Sequence, residues 1–138
     1  MNFYEMRDKD ERRLDDELEN LAHAVIGAAI EVHRHMGPGL PENSYRDALA
    51  HELELRKIPF RREVLIDIDY KGKSVGKCRI DLLVGEKIIV ELKVVEQLAP
   101  IHRAQLISYP KITKLQLGLL INFNVEVLKA GIKRVINS

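Results

Sequence analysis

Across its 138 residues the chain carries one cysteine, almost no net charge and no long apolar run. The lone Cys78 excludes an internal disulfide and fits a cytoplasmic setting. A formal net charge of +1 excludes bulk attraction to a polyanion, so any phosphate binding needs a local basic patch. No stretch reaches the length of a membrane span. The opening MNFYEMRDKDERRLDDELEN lacks the apolar core of a secretory signal. Repeats and low-complexity linkers are missing too. What remains is 46% hydrophobic and 31% charged, a balance typical of one folded domain. A chain of this length buries roughly two-thirds of its unfolded surface. Residues 1–13 read as a charged, frayed leader and 14–138 as the domain.

Periodicity divides the domain. Leu14, Leu18, Leu21, Val25, Ile26, Ala29, Ile30 and Val32 recur at helical spacing, predicting a first helix from Leu14 to Met36 that Gly37-Pro38-Gly39 ends. A second helix starts at Pro41, a favoured first position, and runs to about Lys57 with Tyr45, Leu49 and Leu53 on its apolar stripe. From Val64 the period becomes two. Strands are expected at 64–70, 75–84 and 87–95, then a helix from Ile101 to Tyr109 and a doubly buried strand at Leu115–Phe123. The tail reads either as an edge strand at 131–137 or as a short helix at 125–130. The fold class is α/β: a mixed central sheet flanked by helices, with an extra N-terminal helix.

Within the apolar strands RIDLLV and IIVELK, beyond the leading Arg79, lie three charges, Asp81, Glu91 and Lys93. Ionised groups there are costly unless paired, solvated or bound to metal. The apolar pattern sets the register. A Gly85-Glu86-Lys87 connection pairs Val84 with Ile88, Leu82 with Val90, Ile80 with Leu92 and Cys78 with Val94, all apolar and on one face. Asp81 then falls opposite Glu91. Like charges so opposed are destabilising, and a hard divalent cation reverses the sign. Solvated or salt-bridged pairs, Lys93 with Glu91 or Arg79 with Asp81, are the plainer reading of the same residues.

Other residues divide between chemistry and packing. His102, Gln105 and Tyr109 fall at i, i+3 and i+7, one helix face that either lines a cleft or meets solvent. His33 and His35, at i and i+2, do not converge on a metal. Tyr45 and Cys78 read as packing residues, and Gly39 as a backbone angle that needs glycine. Arg61, Arg62, Lys71, Lys73, Lys77 and Arg79 make one hairpin basic, a patch suited to a phosphate backbone.

Asp81 with Glu91-Leu92-Lys93 resembles the D…(E/D)xK signature of the PD-(D/E)XK nuclease superfamily, the restriction-endonuclease-like fold. Gly39-Leu40-Pro41-Glu42-Asn43-Ser44-Tyr45 matches the GxxExxY motif of a small prokaryotic family within it. Similarity runs from about Leu21 to Asn137, through IGAAIEVHRHMGPG, RIDLLV, IIVELK, PIHRAQLISY and LGLLINF. The resemblance implies an αβββαβ core. It also implies that Asp81, Glu91, the main-chain carbonyl of Leu92 and Glu42 hold Mg2+ or Mn2+, and that Lys93 assists the attacking water. Gln105 and Tyr109 reproduce a QxxxY pattern similar to that of RecB-like exonucleases, which implies substrate contact with His102 beside them. The resulting expectation is a metal-dependent nuclease hydrolysing DNA rather than RNA, alone, as a homodimer or within a larger complex. A non-catalytic nucleic-acid-binding or assembly module keeping the same fold is the alternative. Proline at position 41, where leucine is commoner, and Ile80 before the aspartate, where the superfamily's name has proline, are departures.

Overall fold

The computed structural model describes residues 14–136; the expected leader and the last two residues lie outside them. Helix α1 spans Asp16–Met36. Asp15 caps it, its Oδ1 accepting the Leu18 N–H at 2.9 Å, and Asp16, Glu17 and Glu19 complement the positive end of the helix. Gly37 ends it at φ 68°, where a side chain would be strained. Helix α2 spans Glu42–Leu55, with Pro41 as the cap rather than the first helical residue.

Strands β1 (Phe60–Tyr70) and β2 (Lys73–Val84) form a long antiparallel ribbon. It begins four residues before the expected Val64, because Phe60 pairs with Val84 and Pro59 accepts the Gly85 N–H. Its outer half projects past the packed layers. Lys73 to Lys77 are therefore exposed, and Cys78, expected in the core, is half-buried.

Strand β3 (Ile88–Lys93), helix α3 (Pro100–Thr113), strand β4 (Leu117–Asn122), a 3-10 turn (Leu128–Gly131) and strand β5 (Ile132–Ile136) complete the chain. The tail is therefore the expected edge strand, and a 3-10 turn stands before it in place of a helix over 125–130. Sheet order is β1-β2-β3-β4-β5, antiparallel except for the β3–β4 pair. The parallel pair requires a crossover, which α3 supplies. Helix α3 continues through Pro110, past the expected end at Tyr109. The proline withholds the N–H that would otherwise bond the Leu106 carbonyl, and the helix runs on to Thr113 despite that loss.

Two apolar clusters sandwich the sheet. On one face Leu18, Val25, Tyr45 and Leu53 of α1 and α2 cover Leu82, Val84, Val90, Leu92, Leu119 and Ile121. On the other, Leu106 and Ile107 of α3 cover Ile80, Leu83, Ile89 and Leu120. Gly118 permits the second contact, since a Cβ there would lie 2.8 Å from Leu106 Cδ1. Tyr45 stacks on Phe123 with centroids 4.7 Å apart, and its hydroxyl donates to the Gly37 carbonyl, tying the start of α2 to the end of α1. Among the described residues no helix is long and apolar enough to cross a membrane.

Candidate active site

The charged positions of β2 and β3 mark the place where the sheet opens. The β2–β3 ladder holds Val84–Ile88, Leu83–Ile89 and Leu82–Val90 in the expected register and then stops. The expected Ile80–Leu92 and Cys78–Val94 pairs are not made. Carboxylates take the place of the backbone bonds: the Asp81 N–H donates to Glu91 Oε1 at 2.9 Å, and the Leu92 N–H to Asp81 Oδ2 at 2.9 Å. On the other side of β2, Glu63 adopts φ 51° and drops out of the β1–β2 pairing opposite Asp81. Alternation along β2 breaks at the same point. Ile80, expected to share a face with Leu82, packs instead with Leu83 beneath α3.

This insertion buries both acids, Asp81 and Glu91 each being 8% exposed. Burial, and then the Asp81 charge, push the Glu91 carboxyl up to about 8; the Asp81 N–H and the Lys93 ammonium oppose that rise, and Glu42 adds to it. A like-charged pair without solvent favours whatever brings positive charge. Lys93, half-buried at the end of β3, is one source. The other is Arg46, whose Nη2 lies 2.7 Å from Glu42 Oε2 and 3.6 Å from Asp81 Oδ1. Its Nη1 donates to Asn43 Oδ1 at 2.8 Å. Arg79 does not serve Asp81; it faces Glu63 at 3.7 Å.

Asp81, Glu91, Lys93 and Glu42 therefore fall within one electrostatic neighbourhood. Among the described residues, however, no three His, Cys, Asp or Glu side chains converge as a metal-holding group. Glu42 faces Arg46 instead. The helix α3 candidates stand less close. Gln105 is exposed, and the side chain of Tyr109 lies outside the described residues. His102 is half-buried and accepts the Ala99 N–H on Nδ1 at 2.9 Å, capping α3. Arg46, a polar residue off the apolar stripe of α2, is the member of this cluster that the motif does not include. Its spacing, i+4 from Glu42 on the same helix, was the available signal.

The donor set suits a hard divalent cation. Each buried carboxylate spends one oxygen on a backbone N–H and keeps the other. Because the Leu92 N–H points at Asp81, its carbonyl projects from the same strand edge. Mg2+ takes one or two carboxylates and retains several waters, so two acids and a carbonyl match its needs.

A mixed five-stranded sheet between helices, with an aspartate and an ExK sequence facing each other across its central hairpin, defines an α/β, restriction-endonuclease-like protein. The family model of the PD-(D/E)XK nuclease superfamily matches residues 19–135, and the chain belongs to that superfamily. A comparison with curated proteins finds no match. PD-(D/E)XK nucleases generally use divalent metals.

Proposed function

We propose that the protein is a divalent-metal-dependent nuclease that hydrolyses DNA phosphodiesters, and that within the superfamily it groups with the GxxExxY proteins of prokaryotes. The observation that carries this reading is the opening of the β2–β3 ladder around two buried carboxylates. An assembly built only for stability would fill that gap with backbone bonds and apolar side chains. Asp81 and Glu91, with the Leu92 carbonyl, would hold Mg2+ or Mn2+, and Glu42 would join them once released from Arg46. The metal supplies a Lewis acid for the phosphate and lowers the pKa of a bound water. Lys93, beside Glu91, orients the attacking water and stabilises the charge that develops on the phosphate. Gln105, Tyr109 and His102 of α3 would contact the nucleic acid.

The test is a cleavage assay with purified protein on duplex DNA, single-stranded DNA and RNA, with Mg2+, Mn2+ or chelator. Metal-dependent cleavage of DNA that Glu91→Ala abolishes is the expected result. Equal nucleic-acid loss from wild type and Glu91→Ala, or none from either, overturns the reading. The commitment of Glu42 to Arg46 favours a second possibility, a non-catalytic nucleic-acid-binding or assembly module. That alternative predicts salt-dependent DNA binding indifferent to chelator.

A further inference from the structure

Arg46 is built into the site in an unusual way. It is 8% exposed, yet its Nε–H is buried with no hydrogen-bond partner. Its fork is not matched to one carboxylate in the bidentate manner that makes such pairs strong. Instead Nη1 serves Asn43, while Nη2 stands between Glu42, at 2.7 Å, and Asp81, at 3.6 Å. Placement between two acids, at the expense of an orphaned donor, is the behaviour of a group held for its charge.

The geometry also identifies which oxygen is contested. Oδ2 of Asp81 already accepts the Leu92 N–H, which makes Oδ1 the less committed oxygen for a cation, and Oδ1 is the atom that Arg46 faces. A metal on Oδ1 would sit about 2.1 Å from it. With the guanidinium 3.6 Å from the same atom, a doubly charged ion and a fixed positive charge would be crowded together in a poorly solvated site. Nη2 also engages Glu42 Oε2 at 2.7 Å, so that oxygen reaches the metal only if Arg46 releases it.

We propose that Arg46 is a resident counter-cation of the Glu42–Asp81 pair, and that a divalent metal enters by displacing it. The proposal rests on the metal-site reading above. Arg46 keeps the acidic cluster folded without metal and sets a threshold for loading. It is a positioning residue, acting on the ligands rather than on substrate.

Two measurements test it. Calorimetric titration of metal-stripped protein with Mn2+ alone compares wild type with Arg46→Met and Arg46→Lys. Removing one competing positive charge from so confined a site should tighten Mn2+ binding about tenfold in Arg46→Met, with Arg46→Lys close to wild type. In wild-type protein, the Arg46 Nε–Hε resonance should shift on titration with Mg2+, a readout independent of any folding defect in the variants. Weaker or unchanged Mn2+ binding by Arg46→Met, or an Arg46 resonance indifferent to a saturating metal, overturns the proposal and leaves the metal site standing. Absence of Mn2+ binding by every form overturns both.

Discussion

Glu91→Gln should make the metal-free protein more stable at neutral and alkaline pH. The wild-type carboxyl titrates at about 8 in the fold against 4.5 as its ordinary value, held up by burial and the Asp81 charge. In the folded state it therefore keeps its proton where the unfolded chain has already lost it. Stability is full below about pH 4.5, falls as pH rises towards 8, and levels off above. At 1.4 kcal/mol for each tenfold, the cost at pH 7 is on the order of 3 kcal/mol. Glutamine keeps an oxygen for the Asp81 N–H while abolishing the ionisation. Allowing for imperfect placement of its amide, the gain should be about 2 kcal/mol at pH 7, or roughly 7 °C in Tm for a domain of this size. Urea unfolding in chelator at pH 4.5, 7 and 8.5 measures it. A gain that vanishes at pH 4.5 and grows with pH is the expected result. A variant less stable than wild type at pH 8.5, or a difference independent of pH, would refute the account of the buried pair.

Other perturbations address the scaffold and the chemistry. Lys93→Ala should lower DNA cleavage by about a hundredfold or more while leaving Mn2+ binding in place, checked by single-turnover kinetics beside calorimetry. Gly118→Ala places a methyl 2.8 Å from Leu106 Cδ1 and should destabilise by about 1–3 kcal/mol in thermal melts, as α3 is pushed off β4. Asn122→Ala removes the acceptor of the Val95 and Asn124 N–H groups and the donor to the Val95 carbonyl. It should cost about 2 kcal/mol in chemical denaturation by stranding those groups. Mn2+ affinity should rise about tenfold per pH unit up to the Glu91 value and then level off, with proton release on binding seen by calorimetry in buffers of different ionisation heat.

Much of this arrangement is legible in the sequence because periodicity reports burial. Alternating residues placed β2 against β3 in the register observed for Leu82–Val90 and Val84–Ile88. The continuous apolar run of β4 announced a strand covered on both faces. The same logic fails where the ladder opens, since alternation assumes a regular pleat. Glu63 in a left-handed conformation and carboxylates bonded to backbone are invisible to it, so Ile80 was assigned to the wrong face. Cys78 misled for a related reason: an apolar residue two from Ile80 looks like core, although the ribbon has left the helices behind by that point. Arg46 lies off the apolar stripe of α2 and reads as surface. Its i+4 spacing from Glu42 signals the pair on α2, but its approach to Asp81 at 3.6 Å joins residues far apart in sequence and leaves no local pattern.

The central claim is that Asp81 and Glu91 form a cation site. Its most direct test is a crystal soaked in Mn2+ and measured for anomalous scattering. A peak within ligand distance of Asp81 Oδ1 and Glu91, with the Arg46 guanidinium moved away from Glu42, is the predicted outcome. Well-ordered crystals soaked in saturating Mn2+ that show no peak between the two carboxylates would contradict it.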